Sequence, residues 1–470
     1  MSDPSTNSAQ LTTATTADDV PTLVAHIFRR WYARISSTLL RAAGTGQLDV
    51  VEDAVQESLL AALQHWPYRG IPAEPEAWLY QVARRKLLDR MARSNVAERA
   101  EPLLAATVPT HIPAPSQVAS LEASALGDDE LTMMFLSAHP SLTVDAQITL
   151  MLRTICGLTV PEISAALLVP ERTIAQRVVR AKRILAAINE PFNMPNASVL
   201  SERLDVVMRA IYLLFTEGYA ATRGDSTVRH ELCKEAMRLI TAVAATPFGA
   251  TPEVFALAAL LELQSSRLNA RERANGIAIP LGEQDRNLWD RSAVSRGMSW
   301  LSRASSGDVI SDYHLQAAIA AEHALTINGD ATNWHRIRYL YEQLIERTPS
   351  PIVRLNHALA VARTDGARAG LELLNTLSAH PRLSHHHLLP AMHAVLYEEL
   401  GQSAAATAST RVALGRARTL AGQALLAARL AELAPEITGA HTAHAFEVAE
   451  PAIDKRTQKR SDRAPMREGE

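Results

Sequence analysis

The chain has 470 residues, a net charge of −3, 47% hydrophobic and 5% aromatic residues, and two cysteines. That length allows about three domains of roughly 150 residues, and an Ala- and Leu-rich, Gly-poor composition predicts an all-α protein. The polar first twenty residues carry no secretory signal, no apolar run reaches membrane-spanning length, and two distant cysteines exclude a disulfide framework, so a cytoplasmic chain is expected.

The net acidity argues against nucleic acid until its distribution is considered. Residues 21–100 carry 11 Lys/Arg against 8 Asp/Glu. Residues 131–190 carry 6 against 4, so the rest of the chain is the acidic part. A basic front joined to an acidic remainder suits a DNA-binding module with a regulatory or protein-binding domain.

Residues 1–20 are expected to be a disordered tail, and 21–93 a compact helical unit. In the latter, VEDAVQESLLAALQHW (51–66) is an amphipathic helix. Ala54, Val55, Leu59 and Leu63 point inward, and Asp53, Gln56 and Glu57 are polar positions around its first turns. Three prolines stiffen the loop from Pro67 to Pro75. The next helix has an apolar stripe at Leu79, Ala83, Leu87 and Met91, with Arg84, Arg85, Lys86, Arg90 and Arg93 projecting elsewhere. A rigid aromatic-flanked loop beside a basic helix suits a clamp for single-stranded DNA.

Pro102, Pro109, Pro113 and Pro115 among Ala, Ser and Thr mark 94–127 as a flexible linker. Residues 128–190 form a second helical unit. There Thr159 and Glu162 make a T-x-x-E capping box, with Pro161 just inside a helix whose apolar face is Ile163, Ala166 and Leu167. Pro170 opens the next helix, whose stripe is Ile174, Val178, Ala181 and Leu185. Arg172, Gln176, Arg180 and Arg183 lie on another side. Between Arg172 and Arg183 there are five basic residues and no acidic one. As a helix-turn-helix, this segment would lay its second helix in the DNA major groove. The alternative is an αα-hairpin with a solvated basic face.

Residues 197–435 read as a long series of amphipathic helices, and 441–470 as a disordered charged tail. LNHALAVARTDGARAGLELLN (355–375) resembles PAMHAVLYEELGQSAAATAST (390–410), with Gly366 and Gly401 at matching places. That period is tetratricopeptide-like and suggests a protein or peptide partner.

No segment predicts catalysis. EQDRNLWDR (283–291) reads as a salt-bridged helix terminus, and TEGYAATRG (216–224) as a helix end and turn. Tyr212, Phe215, Tyr219 and Trp289 are assigned to the core. The run His385, His386, His387 lacks the i,i+4 geometry of a metal pair. With no phosphate loop and no nucleophile elbow, no catalytic, cofactor-binding or metal residue is named, and the chain is read as not an enzyme.

Together the two front units resemble a bacterial RNA polymerase sigma factor of the extracytoplasmic-function type. Asp53, Gln56 and Glu57 match its D-x-x-Q-E pattern. Trp78, Leu79, Ala83, Arg84 and Asp89 match a second pattern, and Arg177, Arg180, Ala181 and Lys182 match the end of its promoter-reading helix. Segments 209–222, 231–239, 283–291, 313–324 and 349–366 resemble the subfamily with a tetratricopeptide-like C-terminal extension. The chain departs from the family pattern at Arg85, at Ala92 with Arg93, and at Ser137 with Ala138 before His139 and Pro140.

The resemblance implies that Asp53, Gln56 and Glu57 bind the polymerase β′ clamp helices, with the β flap as a further core contact. It implies that the Trp66–Glu76 loop and basic helix read the −10 element, through Trp66, Tyr68, Arg69, Trp78, Arg84, Arg85 and Arg90. The −35 element would be read by Arg172, Gln176, Arg177, Arg180, Lys182 and Arg183. The extension would modulate activity in cis. The alternative from the residues alone is a helix-turn-helix regulator with a ligand- or peptide-sensing repeat domain.

Overall fold

The computed structural model describes residues 20–93 and 129–433, apart from 168, 222–227, 274–275, 327–330, 382 and 385; of 20–30 and 93 it describes the backbone alone. The expected linker, the charged tail and nearly all of the N-terminal tail lie outside the described residues. Among the described residues there are helices and one isolated bridge, between Glu272 and Ala278, but no strand.

The first unit is α1 (Val20–Ala43), α2 (Leu48–Arg69) and α3 (Pro75–Arg93). The α3 stripe is as read: Leu79, Ala83, Leu87 and Met91 are all buried. The α2 face differs. Its inward side is Val51, Ala54, Val55, Ser58, Ala62 and Trp66, while Leu63 is exposed. Small Ser58 and Ala62 fill the buried face, Leu59 packs half-buried against the core as expected, and Leu60 and Leu63 turn outward. The helix also runs through Pro67, which sits in its last turn, and stops at Gly70 with φ 80°. An irregular segment of only 70–74 therefore separates α2 from α3, shorter than the loop expected from the three prolines.

The second unit is α4 (129–137), α5 (Val144–Thr154), α6 (Val160–Leu167) and α7 (Glu171–Ile188). Every residue from 129 to 138 is buried, so α4 has no solvent face. An all-round buried helix must be covered by other elements, and here two bodies cover it. On one side Arg41 of α1 pairs with Asp129 at 3.1 Å and Arg34 approaches Glu130 at 3.9 Å. On the other, Arg238 reaches Glu130 at 2.7 Å, Arg203 donates to the Phe135 carbonyl at 2.8 Å, and Phe248 meets Phe135 edge-on with centroids 5.1 Å apart.

The extension runs from α8 (Ala197–Tyr219) and α9 (His230–Ala244) to α10 (Pro252–Ser265), α11 (Arg291–Ala304), α12 (Asp312–Ala324) and α13 (Trp334–Arg347). It continues through α14 (Pro351–Asp365), α15 (Ala367–Thr376), α16 (Leu388–Glu399), α17 (Ser403–Arg416) and α18 (Leu420–Leu433). Most of these helices pack on their neighbours in sequence, as a hairpin stack does. Gly366 and Gly401, at φ 95° and 71°, make the turns of the two similar hairpins. At the centre is α10, capped by Thr251 with Pro252 at its first position and buried from Val254 to Leu263. Gly297 lets α11 approach it: a Cβ there would meet Leu263 Cγ at 2.7 Å. Cys156 and Cys233 are buried and free, and burial pushes the Cys233 thiol up to about 12.

One continuous hydrophobic core runs through the first unit, the second unit and the near end of the extension.

Candidate nucleic-acid and polymerase interface

The helix-turn-helix forms from local signals. Thr159 N–H donates to Glu162 at 2.7 Å and Glu162 N–H to Thr159 Oγ1 at 3.4 Å, closing the capping box at the start of α6. Pro170 stands at the N-cap of α7, one residue earlier than inside the helix. On α7, Ile174, Val178 and Ala181 are buried and Leu185 is half-buried. Arg172, Gln176, Arg180 and Arg183 are all exposed. They recur at four-, four- and three-residue steps, one basic strip on the outer face. Arg177 is half-buried and pairs with Asp145 of α5 at 3.2 Å.

Lys182 departs from that strip. Its side chain is only 11% exposed, and its ammonium lies 2.9 Å from Asp49 and 2.5 Å from Glu52 of α2. Burial opposes its charge, yet Glu52 and Asp49 outweigh that and hold it above the ordinary lysine range. In this conformation Lys182 is a bond between the two front units, not part of the solvent-facing basic strip. Beside it Thr45 Oγ1 donates to the Glu190 carbonyl at 2.6 Å. The helix-turn-helix is also held from behind, where Arg229 ahead of α9 reaches Glu162 at 2.6 Å.

On the first unit, Trp78, Gln81, Val82, Arg84, Arg85, Leu88 and Asp89 line an open groove of about 480 Å³ on α3. Arg85 is exposed, Arg84 and Trp78 half-buried. Tyr68 (89% exposed) and Arg69 project from the last turn of α2. Trp66 does not share that exposure. It is 3% exposed inside α2, edge-on to Trp78 at 5.5 Å, so it supports the groove from beneath.

The acidic patch of α2 is occupied within the unit. Arg90 of α3 bonds Asp53 at 2.8 Å and Glu57 at 2.6 Å, and Lys86 stands 3.4 Å from Glu57. The hydrogen bond from Arg90 draws the Glu57 carboxyl below its ordinary range. Gln56 lies between them, half-exposed. Thus four residues expected on DNA, Trp66, Arg90, Arg177 and Lys182, have intramolecular partners in this conformation. The missed partners, Asp49 and Glu52, precede the D-x-x-Q-E pattern by one turn and by one residue. Their acidity beside a basic helix was the only available signal.

Comparison with known proteins gives three family matches. Residues 27–96 match Sigma-70 region 2, residues 132–185 match Sigma-70, region 4, and residues 203–305 match a family of unknown function, DUF6596. An uncharacterized protein of Rhizobium meliloti (strain 1021) is 38% identical over 384 residues, spanning 81% of this chain and 88% of that protein. No solved structure matches.

Proposed function

We propose that this chain, which belongs to the extracytoplasmic-function sigma-70 proteins and carries a helical C-terminal extension, directs RNA polymerase to a specific promoter class under control of that extension. The observation that carries the reading is the pair of basic helices in sigma order. The α3 groove and the outer strip of α7 are two separate basic surfaces, each with an apolar back in the core. Tyr68, Arg69, Trp78, Arg84 and Arg85 would meet the −10 strand, with Trp66 as their support. Arg172, Gln176, Arg177, Arg180 and Arg183 would meet the −35 duplex. Asp53, Gln56 and Glu57 would take the polymerase clamp once Arg90 turns away.

The closed arrangement supports the regulatory half. Elements at −10 and −35 are separated by roughly 85 Å of duplex, about 25 base pairs at 3.4 Å each. Lys182 and Glu52 touch, so the two units cannot occupy both elements until that contact opens. The extension grips the same junction through Glu130, shared by Arg34 of the first unit and Arg238 of α9. These contacts support a role for the extension in biasing that opening in cis.

Run-off transcription with core polymerase on a promoter library tests the reading. Discrete start sites that depend on the full chain support it. Duplex binding without any core-dependent initiation would replace it with a helix-turn-helix regulator.

A further inference from the structure

Two dense motifs, TEGYAATRG and EQDRNLWDR, lie far apart in sequence, and each reads there as a separate structural piece. In the fold Tyr219 of the first and Trp289 of the second share Arg267 as a neighbour. Tyr219 closes α8, Trp289 precedes α11, and arginines fill the space around both rings. The Arg271 guanidinium sits 3.7 Å over the Tyr219 ring. Arg267 lies 5.7 Å from both ring centroids and donates to Tyr219 Oη at 2.5 Å. Arg286 lies 4.6 Å over Trp289.

The carboxylates of this region have other partners. Asp285 caps a short 3-10 turn, and Asp290 caps α11 through Ser292 and Ala293 N–H. Glu217 and Glu231 face Arg229, and Glu272 accepts from Val228 N–H. Arg286 is satisfied by the carbonyls of His323 and Thr326 and the Thr326 hydroxyl. Arg267 and Arg271 contact the two rings and the Tyr219 hydroxyl, while the ion pairs of this region belong to Arg229 and Arg296. Three donors or acceptors here are buried without a partner: Arg271 Nε, Trp289 Nε1 and His323 Nδ1. Trp289 is 2% exposed.

Half-buried guanidiniums held close to one another repel, and a buried indole N–H without an acceptor among the described residues costs free energy. Both defects are cured by one kind of guest. We propose that Tyr219, Arg267, Arg271 and Trp289 form a binding site for a small oxyanion, a carboxylate or phosphate group, in the extension. The two guanidiniums supply forked donors that match such an anion, and stacking on the rings fixes their planes. The site goes beyond promoter recognition, and neither polymerase nor DNA enters its test.

The test is thermal unfolding of the full chain with inorganic phosphate or acetate, against chloride at equal ionic strength. A phosphate- or acetate-specific rise of about 2 °C is expected at an anion concentration ten times its dissociation constant. Phosphate alone active identifies a phosphate site, and acetate as well identifies a general oxyanion site. The rise should vanish in Arg267→Gln and Arg271→Gln and persist in Arg273→Gln, an exposed arginine on the same segment. Arg271→Lys keeps the charge without the fork, so it guards against loss of folding and should retain only part of the rise. Equal rises in all variants, or none in the wild type above chloride, would overturn the proposal.

Discussion

Helices α7 and α10 show two ways of spending a helix surface. The first keeps one narrow apolar stripe, and its remaining surface carries arginines towards solvent or a lysine towards α2. The second has no polar face along its middle, and every residue from Val254 to Leu263 is buried. One Ala-rich composition serves both, so residue type alone does not separate a reading surface from a structural hub. What separates them is which side of the helix other elements cover. Function accumulates where coverage is incomplete, and stability where it is complete.

The strongest way to break this contrast is to remove the hub. A chain ending at residue 196 loses Arg203, Arg238 and Phe248, which cover α4. We expect the second unit to lose cooperative unfolding by circular dichroism and transcription to fall at least tenfold. Full activity from 1–196 would show that α4 finds other cover.

Within the hub, Leu260→Ala should cost about 2–5 kcal/mol in urea unfolding, because a fully buried leucine leaves a cavity. On α7, Arg180→Ala should leave that midpoint within about 0.5 kcal/mol, as surface changes do. It should instead cost about 1–3 kcal/mol of promoter discrimination if it reads a base. An equal loss on all duplexes would make Arg180 a phosphate contact.

Acidity sharpens the contrast from the hub's edge. Burial, with Arg267 and Arg286 nearby, pushes His323 down to about 3. A depressed histidine stabilises the fold above its unfolded value near 6.5, and that contribution is lost as pH falls towards the folded value. Between pH 7 and 5 the extension should lose on the order of 1–2 kcal/mol, seen as a lower urea midpoint. His323→Gln should flatten that slope, and an unchanged slope would place the acid sensitivity elsewhere.

The smallest effect concerns the inner side of α7. Asp49→Asn with Glu52→Gln removes the acids facing Lys182 without altering the basic strip. Fluorescence energy transfer between dyes on the two front units should report a more open population, with a few-fold gain in −35 duplex affinity. No change in either signal would mean that the apolar seam alone holds the units together.

Much of this was legible in the sequence. The capping box, the α3 stripe and the buried face of α7 follow from spacing within single helices, where periodicity decides. The misplacements of Trp66, Leu63 and Lys182 share a different cause. Each depends on which neighbouring helix arrives and how closely: Ser58 and Ala62 fill the buried face of α2, and Asp49 and Glu52 meet α7 from 130 residues away. No local pattern encodes that meeting. Tyr219 and Trp289 were assigned to the core, and the structure indeed buries Trp289. Arg286 shares its segment with Trp289, but Arg267 and Arg271 were invisible because they come from a third segment.

The two native thiols have a practical consequence. Both Cys156 and Cys233 are enclosed, and burial keeps both in the protonated, unreactive form. Maleimide chemistry at cysteines introduced on the surface should therefore proceed on the otherwise unaltered chain. The contact between the front units is thus open to spectroscopic rulers without first re-engineering the interior.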